Sequence, residues 1–481
     1  MKKSAFLFFS FLLSLAHLPA QRGLTRIPDT SIKAQLDAFI LPEGAKINLF
    51  ASEPVVRNPI HMNWDAQGRL WVVGSPLYPH IKPGQEESDQ VVILEDTTGD
   101  GVADQHMVFA DDLHIPTGVL PGDGGVYVAN SNDVLFLKDT NGDGKADHRE
   151  VVLSGFGTED THHIVHTFRW GPEGMMWLNQ SIYIHTHLDT PYGIRRLLGG
   201  GMWHYRPETR RSEVFMKGLV NPWGHVFDQW GQSFMTDGAG GQGINFVYPR
   251  SVFVASPGAS RRLQGLNPGQ PKLCGLEVLS GSHIPVHWRG ALASPDFRGH
   301  RIKTYRLSDK GSAYESREYK ELLASRHGAF RPIDVKMGPD GAIYVADLYN
   351  PIIQHGEVDF RDPRRDHKHG RIWRISFPEN PPAPFAKPAN MKAKALAEAL
   401  LFSEENIVRE LATAELRTRN PGKMLLALNS LKLEDDLHKV RRVWATQALN
   451  RLDMGLAKQL TQSKSPKARA AGLRALSLIH I

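Results

Sequence analysis

The fold of this chain is decided by the stretch Met62-Asn63-Trp64-Asp65-Ala66-Gln67-Gly68-Arg69-Leu70-Trp71-Val72-Val73. In it, an apolar run leads into a turn with glycine, and a second apolar run with an aromatic residue follows. Further copies occupy residues 122–128, 168–178, 226–235 and 335–345, at a spacing of about 50 to 60 residues with one gap of about twice that length. A fixed period of this size indicates a repeat architecture, and the repeated unit here is a β-hairpin.

A single hairpin cannot bury both of its faces, so the units are expected to stack around an axis as a β-propeller. The long gap between the turns at Gly231 and Gly341 predicts one additional, degenerate unit, which we place at residues 288–294. The sequence therefore predicts a mainly β protein with a six-bladed β-propeller over residues 21–376. In the lead-in to it, a short helix is expected at residues 32–39 with Ser31 as its N-cap.

The composition changes twice after residue 376. Residues 377–391 are rich in proline and predict a stiff, extended linker. Residues 392–481 are rich in Ala, Leu, Lys, Arg and Glu with helical periodicity, which is typical of HEAT-like solenoid repeats and offers a surface for a protein partner. The periodicity breaks at residues 477–481 without a capping unit, so we interpret the helical part as truncated.

The N-terminus has the pattern of a secretory signal peptide over residues 1–20. Lys2 and Lys3 precede an apolar run at residues 5–18, which is too short for a stable membrane span. We expect an exported protein, periplasmic or secreted, with no transmembrane span after cleavage. An uncleaved N-terminal anchor is the alternative.

The bulk composition excludes several classes of protein. Hydrophobic residues make up 41% and charged residues 22%, as in an ordinary soluble globular protein. The net charge of +6 is spread along the chain without a basic motif, so no nucleic-acid partner is expected. The single cysteine, Cys274, rules out an intrachain disulfide and a Cys-x-x-Cys-His haem site within these residues.

Two acidic loops, at residues 96–104 and 139–147, are near copies of each other. Their oxygen-bearing side chains fall at positions 1, 3, 5 and 9 with glycine at position 6, which is the ligand spacing of an EF-hand-type Ca²⁺ loop. The candidate ligands are Asp96, Thr98, Asp100 and Asp104 in the first loop, and Asp139, Asn141, Asp143, Asp147 and Glu150 in the second. Glu150 stands at position 12, where the first loop has Met107, so the second loop is predicted to be the stronger site. Metal-free acidic turns are the alternative.

A histidine-rich segment precedes the third repeat. His162 and His166 on one strand face would lie about 13 Å apart, too far to share a metal ion. His163, eight residues before Gly171-Pro172-Glu173-Gly174, resembles the base-bearing segment of the soluble PQQ-dependent glucose/sorbosone dehydrogenases. Those proteins are six-bladed propellers that hold PQQ and Ca²⁺ at the mouth of the axis. The resemblance implies that His163 is the general base that takes the substrate hydroxyl proton as hydride passes to the quinone.

The same resemblance extends to the cofactor contacts. Asn221 matches a position in the family's Arg-Asn-Pro-x-Gly segment, Arg298 lies near the position of a cofactor-binding lysine, and Arg331 matches one of two expected arginines. Val220 and Ile333 stand where two other family arginines are expected. The segment at residues 236–241 falls where the family's calcium-binding loop lies. Arginine is the usual partner of cofactor carboxylates, so the two departures weaken the implied PQQ site.

Nearly the whole chain is also similar to the bacterial membrane-bound dehydrogenase family of the propeller–HEAT–cytochrome c type. The phrases that carry this resemblance are the two acidic loops and residues 221–225, 331–350 and 369–372. The resemblance implies a signal peptide, a propeller, HEAT repeats and often a C-terminal cytochrome c domain. A haem c group is therefore expected only in a further domain outside this sequence.

The leading expectation is an exported, Ca²⁺-binding, quinoprotein-like dehydrogenase that oxidises a sugar or an alcohol and passes electrons to a cytochrome c-type acceptor. One alternative is a non-catalytic propeller and helical module that binds carbohydrate or a protein partner. Another is a Ca²⁺-dependent lactonase, which would need carboxylates that converge on the axis.

Overall fold

The computed structural model of the chain describes residues 24, 26–239, 243–254, 256, 262–269, 272–311, 313–354, 357–382 and 384–478. Its β part is a six-bladed propeller, as the repeats predicted. The predicted signal peptide lies outside the described residues. None of the described helices is both long enough and apolar enough to cross a membrane.

The strands are numbered along the chain, and each blade is antiparallel. The two N-terminal strands are β1 (Phe39–Ile40) and β2 (Lys46–Ser52). Blade 1 is formed by β3 (Pro59–Trp64), β4 (Leu70–Gly74), β5 (Asp89–Glu95) and β6 (Gln105–Leu113). Blade 2 is formed by β7 (Pro116–Gly122), β8 (Gly125–Asn130), β9 (Asp133–Lys138) and β10 (His148–Ser154). Blade 3 is β11 (His166–Trp170), β12 (Met176–Gln180), β15 (Gly201–Arg206) and β16 (Arg211–Lys217), with the hairpin β13 (His185–Leu188) and β14 (Arg195–Leu198) inserted.

The remaining blades are less regular. Blade 4 has three strands, β17 (Pro222–Phe227), β18 (Ser233–Asp237) and β19 (Ile244–Val247). Blade 5 is β20 (Glu277–Val278), β21 (Leu292–Asp296), β22 (Arg301–Lys310) and β23 (Ala313–Ser325), with β1 at its edge; blade 6 is β24 (Pro332–Met337), β25 (Ile343–Asp347) and β26 (Arg371–Ser376). Strand β2 pairs with β26, so the N-terminal segment completes blade 6 and closes the ring.

Blade 5 is the degenerate unit that the long gap predicted. Its second strand begins at Leu292, inside the predicted stretch, but its inner strand has only two residues. A loop over residues 279–291 replaces the tight turn of the other blades, which explains why the repeated pattern is absent there.

The repeated turn has a common hydrogen-bond pattern. An acidic side chain at the turn accepts from the aromatic residue four positions later: Tyr127 Oη donates to Asp123 at 2.8 Å, Trp177 Nε1 to Glu173 at 2.6 Å and Tyr344 Oη to Asp340 at 3.0 Å. The glycine that follows each acid has positive φ, for example +77° at Gly174. The carboxylate thus satisfies the polar end of a ring that is otherwise buried, and each buried ring contributes about 2 to 3 kcal/mol of hydrophobic stabilisation.

The helices follow the predicted order. Helix α1 (Ile32–Asp37) is capped by Ser31, whose Oγ accepts from the Ala34 N–H at 3.2 Å. It is shorter than predicted, because the chain enters β1 at Phe39. The C-terminal helices are α2 (Ala393–Phe402), α3 (Asn406–Leu416), α4 (Pro421–Ser430), α5 (Asp436–Ala448), α6 (Met454–Leu460) and α7 (Pro466–Ser477), after a 3-10 turn at Pro388–Asn390. The proline-rich linker runs along the propeller, where the Asn380 carbonyl contacts the His283 ring.

The two ends of the propeller axis are distinct. One end of the axis, here called the mouth, is where the five full-length inner strands begin, and the opposite end, here called the floor, is where they finish. These strands are β3, β7, β11, β17 and β24. The C-terminal helices cover the floor. Arg417, the C-cap of α3, pairs with Asp123 at 2.8 Å and with Glu208 at 2.7 Å, and its guanidinium lies 4.2 Å from the Trp170 ring centroid. Arg474 of α7 reaches the buried Glu173 at 3.2 Å.

Candidate functional site

A cavity of about 200 Å³ opens at the mouth of the axis. Three of the predicted cofactor residues, Asn221, Arg298 and Arg331, lie in its wall. They come from three separate segments: the start of β17, the loop after β21 and the residue before β24. The structure therefore brings together residues that lie up to 110 positions apart in the sequence.

His163, the predicted base, lies directly behind this wall. Asp160 engages it together with its neighbour: His163 Nδ1 is 2.9 Å from one carboxylate oxygen and His162 Nδ1 is 3.1 Å from the other. His162 lines the cavity, whereas the side chain of His163 is only 3% exposed and packs edge-on against Tyr183 at 4.9 Å between ring centroids. One carboxylate thus orients two histidines, and sequence reasoning selected only the deeper one.

The electrostatics of this group keep His163 neutral. Burial lowers the pKa of His163, and the negative charge of Asp160 opposes that shift only in part. Partial burial acts to raise the pKa of Asp160, but hydrogen bonds from the side chain and the backbone N–H of His162 lower it overall. A neutral imidazole that is held by an ionised carboxylate is able to accept a proton.

Arg331 has a different environment from the one expected of a cofactor ligand. Its Nε donates to the Asn350 carbonyl at 2.8 Å, and its Nη groups donate to the carbonyls of Phe297 at 3.2 Å and Pro351 at 3.3 Å. Burial lowers its pKa to about 9. Arg331 therefore fixes the loops that form the cavity wall, and its predicted contact with a cofactor stays a prediction.

Lys272 is a site residue that sequence reasoning missed. It lines the same cavity as Arg298, and its pKa is lowered first by burial and then by the charge of Arg298. Neither cation forms an ion pair with a residue that the structure describes. Lys272 belongs to no motif, so only the tertiary structure could reveal it. Trp223 and Phe297, with ring centroids 5.9 Å apart, provide the aromatic part of the wall.

Asn221 is held in place by its backbone. Asp237 Oδ1 accepts from the Asn221 N–H at 3.0 Å and from the Ala239 N–H at 2.9 Å, and Oδ2 accepts from the Val220 N–H at 3.2 Å. In sequence, the segment at residues 236–241 falls where the resembled family has a calcium-binding loop. Residues 240–242 lie outside the described part of the chain. Within the described residues, Asp237 acts on the backbone that carries Asn221.

The two acidic loops lie at the floor side of the rim, between β5 and β6 and between β9 and β10, away from the mouth. Asp139 accepts from the N–H groups of Gly142 at 2.6 Å and Gly144 at 2.8 Å, and Asp96 makes the equivalent bonds in the first loop. Glu150 faces Arg210 at 3.2 Å instead of its own loop. Among the described residues, no group of three or more His, Cys, Asp or Glu side chains is placed to hold a metal ion. Calcium binding therefore stays a prediction.

Several solved structures with a similar fold are described as sugar dehydrogenases. An oxidoreductase from Thermus thermophilus, described as a glucose dehydrogenase, is 17% identical with a TM-score of 0.51 and covers 69% of this chain and 99% of its own. The PQQ domain of pyranose dehydrogenase from Coprinopsis cinerea is 12% identical with a TM-score of 0.49 and covers 70% and 97%. The PQQ-bound aldose sugar dehydrogenase from Streptomyces coelicolor is 14% identical with a TM-score of 0.44 and covers 70% and 100%. The Thermus structure shows that the fold is shared.

No curated protein matches this sequence. The assignment to the membrane-bound dehydrogenase family stays a prediction. A family profile, described as a domain of unknown function (DUF7133), matches residues 31–379, which span the propeller and most of the sequence. The chain therefore belongs to the DUF7133 family.

Proposed function

We propose that this protein is a quinoprotein-like dehydrogenase that oxidises a small hydroxyl compound, a sugar or an alcohol, at the mouth of the propeller. The observation that supports this proposal best is the pair Lys272 and Arg298. Glu357 lines the same cavity, and its charge and that of Asp237 oppose the lowering of the Lys272 pKa only in part. Two cations of like charge without a direct ion pair among the described residues therefore make the cavity suited to an anionic ligand. The paired histidines on Asp160 lie beside the same cavity.

The residues present fit a flat, polycarboxylated cofactor such as PQQ. Lys272 and Arg298 would hold its carboxylates, and Trp223 and Phe297 offer ring faces to a planar group. Lys272 and Arg298 therefore supply positive charge in a site that lacks the arginines expected at Val220 and Ile333. When bound, the quinone supplies a two-electron acceptor.

Residues of the chain itself would accept the proton of the substrate hydroxyl group. Asp160 engages Nδ1 of His163, so a proton from the substrate hydroxyl would be taken up at Nε2. His162 is the second histidine on the same carboxylate and faces the cavity directly. Asn221, fixed through Asp237, would orient the substrate or the cofactor. Arg331 maintains the wall by binding carbonyls of the surrounding loops.

We also propose that the protein binds Ca²⁺, passes electrons to a cytochrome c-type partner and is exported. Ca²⁺ at the acidic loops would stiffen the floor rim, because crowded carboxylates without a cation repel each other. Electrons would leave to a cytochrome c-type partner, with haem c in a separate domain. Export to the periplasm or the medium would give access to such partners and to extracellular sugars.

The first experiment is a titration of the purified chain with PQQ by calorimetry, followed by dye reduction across a panel of sugars and alcohols. We expect the double variant Lys272→Gln with Arg298→Gln to bind PQQ at least about 100-fold more weakly, since two charge-assisted contacts are lost. Lys82→Gln, an exposed lysine outside the cavity wall, is the matched control and should bind as the wild type does.

Absence of PQQ binding by the wild type would overturn the dehydrogenase proposal. One observation supports a second candidate, a module that binds a carbohydrate without turnover: Tyr183 packs against His163 and keeps that histidine buried. In that case calorimetry would detect a saccharide, while dye reduction would stay at the level of the buffer for every substrate.

A further inference from the structure

A second cavity, of about 70 Å³, lies at the floor, on the far side of the propeller from the candidate site. The ends of β11 and β17 form one wall, and helices α2, α3 and α5 form the other. The aromatic side chains of Trp170, Phe227 and Trp444 face it. The cavity thus exists only because the helices cover the floor.

Two arginines line this cavity without a carboxylate partner. Arg409 of α3 and Arg441 of α5 form no ion pair in the part of the chain that the structure describes. Arg441 donates to the carbonyls of Leu401 at 2.8 Å and Ser403 at 3.1 Å, and Arg409 also reaches the Ser403 carbonyl. Arginines are rarely buried unless a counter-charge accompanies them. Burial, and after it the charge of Arg441, lower the pKa of Arg409 to about 9.

Hydrogen-bond donors in the same wall lack acceptors. The side chain of Arg441 is buried, with the residue 7% exposed, and its Nε has no hydrogen-bond partner. Nε of Arg169, a residue that is 2% exposed, is also without a partner. A buried donor without an acceptor is strongly unfavourable, and an anion that accepted from either atom would remove that penalty.

Among the described residues, the acidic groups around the cavity form no direct ion pair with Arg409 or Arg441. Arg169 pairs with Glu277 at 2.7 Å and with Glu410 at 3.5 Å, so both carboxylates serve that one guanidinium. Asp228 accepts from the N–H groups of Trp230 and Gln232, each at 2.8 Å, and burial raises its pKa to about 6. Asp228, Glu404, Glu405 and Asp435 act on Arg409 and Arg441 only through longer-range attraction, so neither guanidinium has a carboxylate in direct contact among the described residues.

We propose that the floor cavity binds a small organic carboxylate between Arg409 and Arg441. The carboxylate group would accept from the guanidinium donors, and the aromatic walls would contact the apolar part of the molecule. This site is separate from the mouth cavity and does not rest on the proposed dehydrogenase function. Because it is built from both the propeller and the helices, its occupation would stabilise their contact.

The test uses the full chain and three probes at constant ionic strength: sodium benzoate, sodium acetate and sodium phosphate, each measured by calorimetry against sodium chloride. Acetate, which is small enough for a cavity of about 70 Å³, is expected to bind, and Arg441→Gln is expected to weaken its binding at least tenfold. Benzoate is the size control, since a benzene ring needs a cavity of about 150 Å³. Arg442→Gln is the matched control. Arg442 is the next residue on α5, donates to Asn429 at 2.6 Å and does not line the cavity, so this variant should bind acetate as the wild type does.

A crystal structure of the wild-type chain with sodium acetate keeps the test decisive if Arg441→Gln fails to fold. Acetate density between Arg409 and Arg441 supports the proposal. Water alone in the cavity at 10 mM probe, on the order of the weakest useful affinity, overturns it. Preferential binding of phosphate over both carboxylates overturns the assignment of the ligand class.

Discussion

The mouth and the floor of this propeller use charge in opposite ways. At the mouth, Lys272 and Arg298 face a cavity without ion pairs to the described residues. At the floor, most buried charges are matched: Arg169 with Glu277 at 2.7 Å, Arg417 with Asp123 at 2.8 Å and Arg474 with Glu173 at 3.2 Å. Unmatched charge on a scaffold of this kind indicates a binding surface, whereas matched buried charge fixes one packed element against another. The pair Arg409 and Arg441 is the exception at the floor.

The largest expected effect is on turnover at the mouth. His163→Gln should reduce dye-linked turnover by about 10²- to 10⁴-fold, the usual contribution of a general base, while PQQ affinity measured by calorimetry stays near the wild-type value. His162→Gln is the comparison variant on the same carboxylate. A larger loss in His162→Gln would assign the base to the histidine that lines the cavity. Full turnover in both variants would contradict the role of the pair.

The pH profile sharpens the same assignment. Burial lowers the pKa of His163 below its ordinary 6.5, so the neutral base persists and the acid limb of turnover should lie below pH 6.5. Asp160→Asn removes the charge that opposes this shift. In that variant the acid limb should move to still lower pH as turnover falls, and a shift towards higher pH would contradict the geometry.

The next largest effect is a loss of stability, expected when one member of a buried ion pair at the floor is removed. Glu173→Ala leaves Arg474 and the Trp177 N–H without their carboxylate, and we expect a loss of about 3 to 5 kcal/mol in the free energy of unfolding. Glu208→Ala is the control, because Arg417 keeps Asp123 and the loss should stay below about 1 kcal/mol. Urea denaturation measures both, and equal losses would contradict the contrast between buried and exposed pairs.

A smaller effect concerns the pH dependence of stability. His166, beside Trp223 at the mouth, has its pKa lowered to about 3 by burial. The unfolded chain therefore binds its proton first, and stability falls as the pH drops from about 6.5 towards 3, by about 1.4 kcal/mol per pH unit for this one group. His166→Gln should show a slope that is shallower by that amount in denaturation between pH 6 and 4. An unchanged slope would contradict the burial of a neutral imidazole.

The smallest effect distinguishes the ligands of the acidic loops. If Ca²⁺ binds, Asp139→Asn should weaken it about tenfold, whereas Glu150→Gln should leave affinity unchanged because Glu150 faces Arg210. Removal of calcium should lower stability only slightly, since both loops are exposed and hold their own backbone N–H groups. Calorimetry with Ca²⁺ measures each affinity, and a strong effect of Glu150→Gln would contradict the position of that side chain.

The propeller could be predicted because its signals are local. The acid at each turn, the glycine after it and the aromatic residue four positions after the acid form one hydrogen-bonded unit, as at Glu173, Gly174 and Trp177, and that unit repeats in the sequence. Blade 5 follows a different local pattern, and only the unusually long gap indicated it. The helices were predictable from periodicity for the same reason.

The sites were less predictable because they depend on distant contacts. Arg331 matched a family position, yet its guanidinium binds loop carbonyls that no motif specifies. Lys272 lines the cavity but could not be predicted as a ligand, because it belongs to no motif in the sequence. The position of the helices on the floor, and with it the unmatched Arg409 and Arg441, depends on packing between parts of the chain that periodicity cannot relate.

The most direct test of the central claim is a crystal structure of the chain with PQQ. We expect cofactor density in the mouth cavity, with its carboxylates on Lys272 and Arg298 and its ring system against the aromatic wall at Trp223. Cofactor density at another place on the molecule, or an empty mouth at saturating PQQ, would contradict the claim that the unmatched charges mark the binding site.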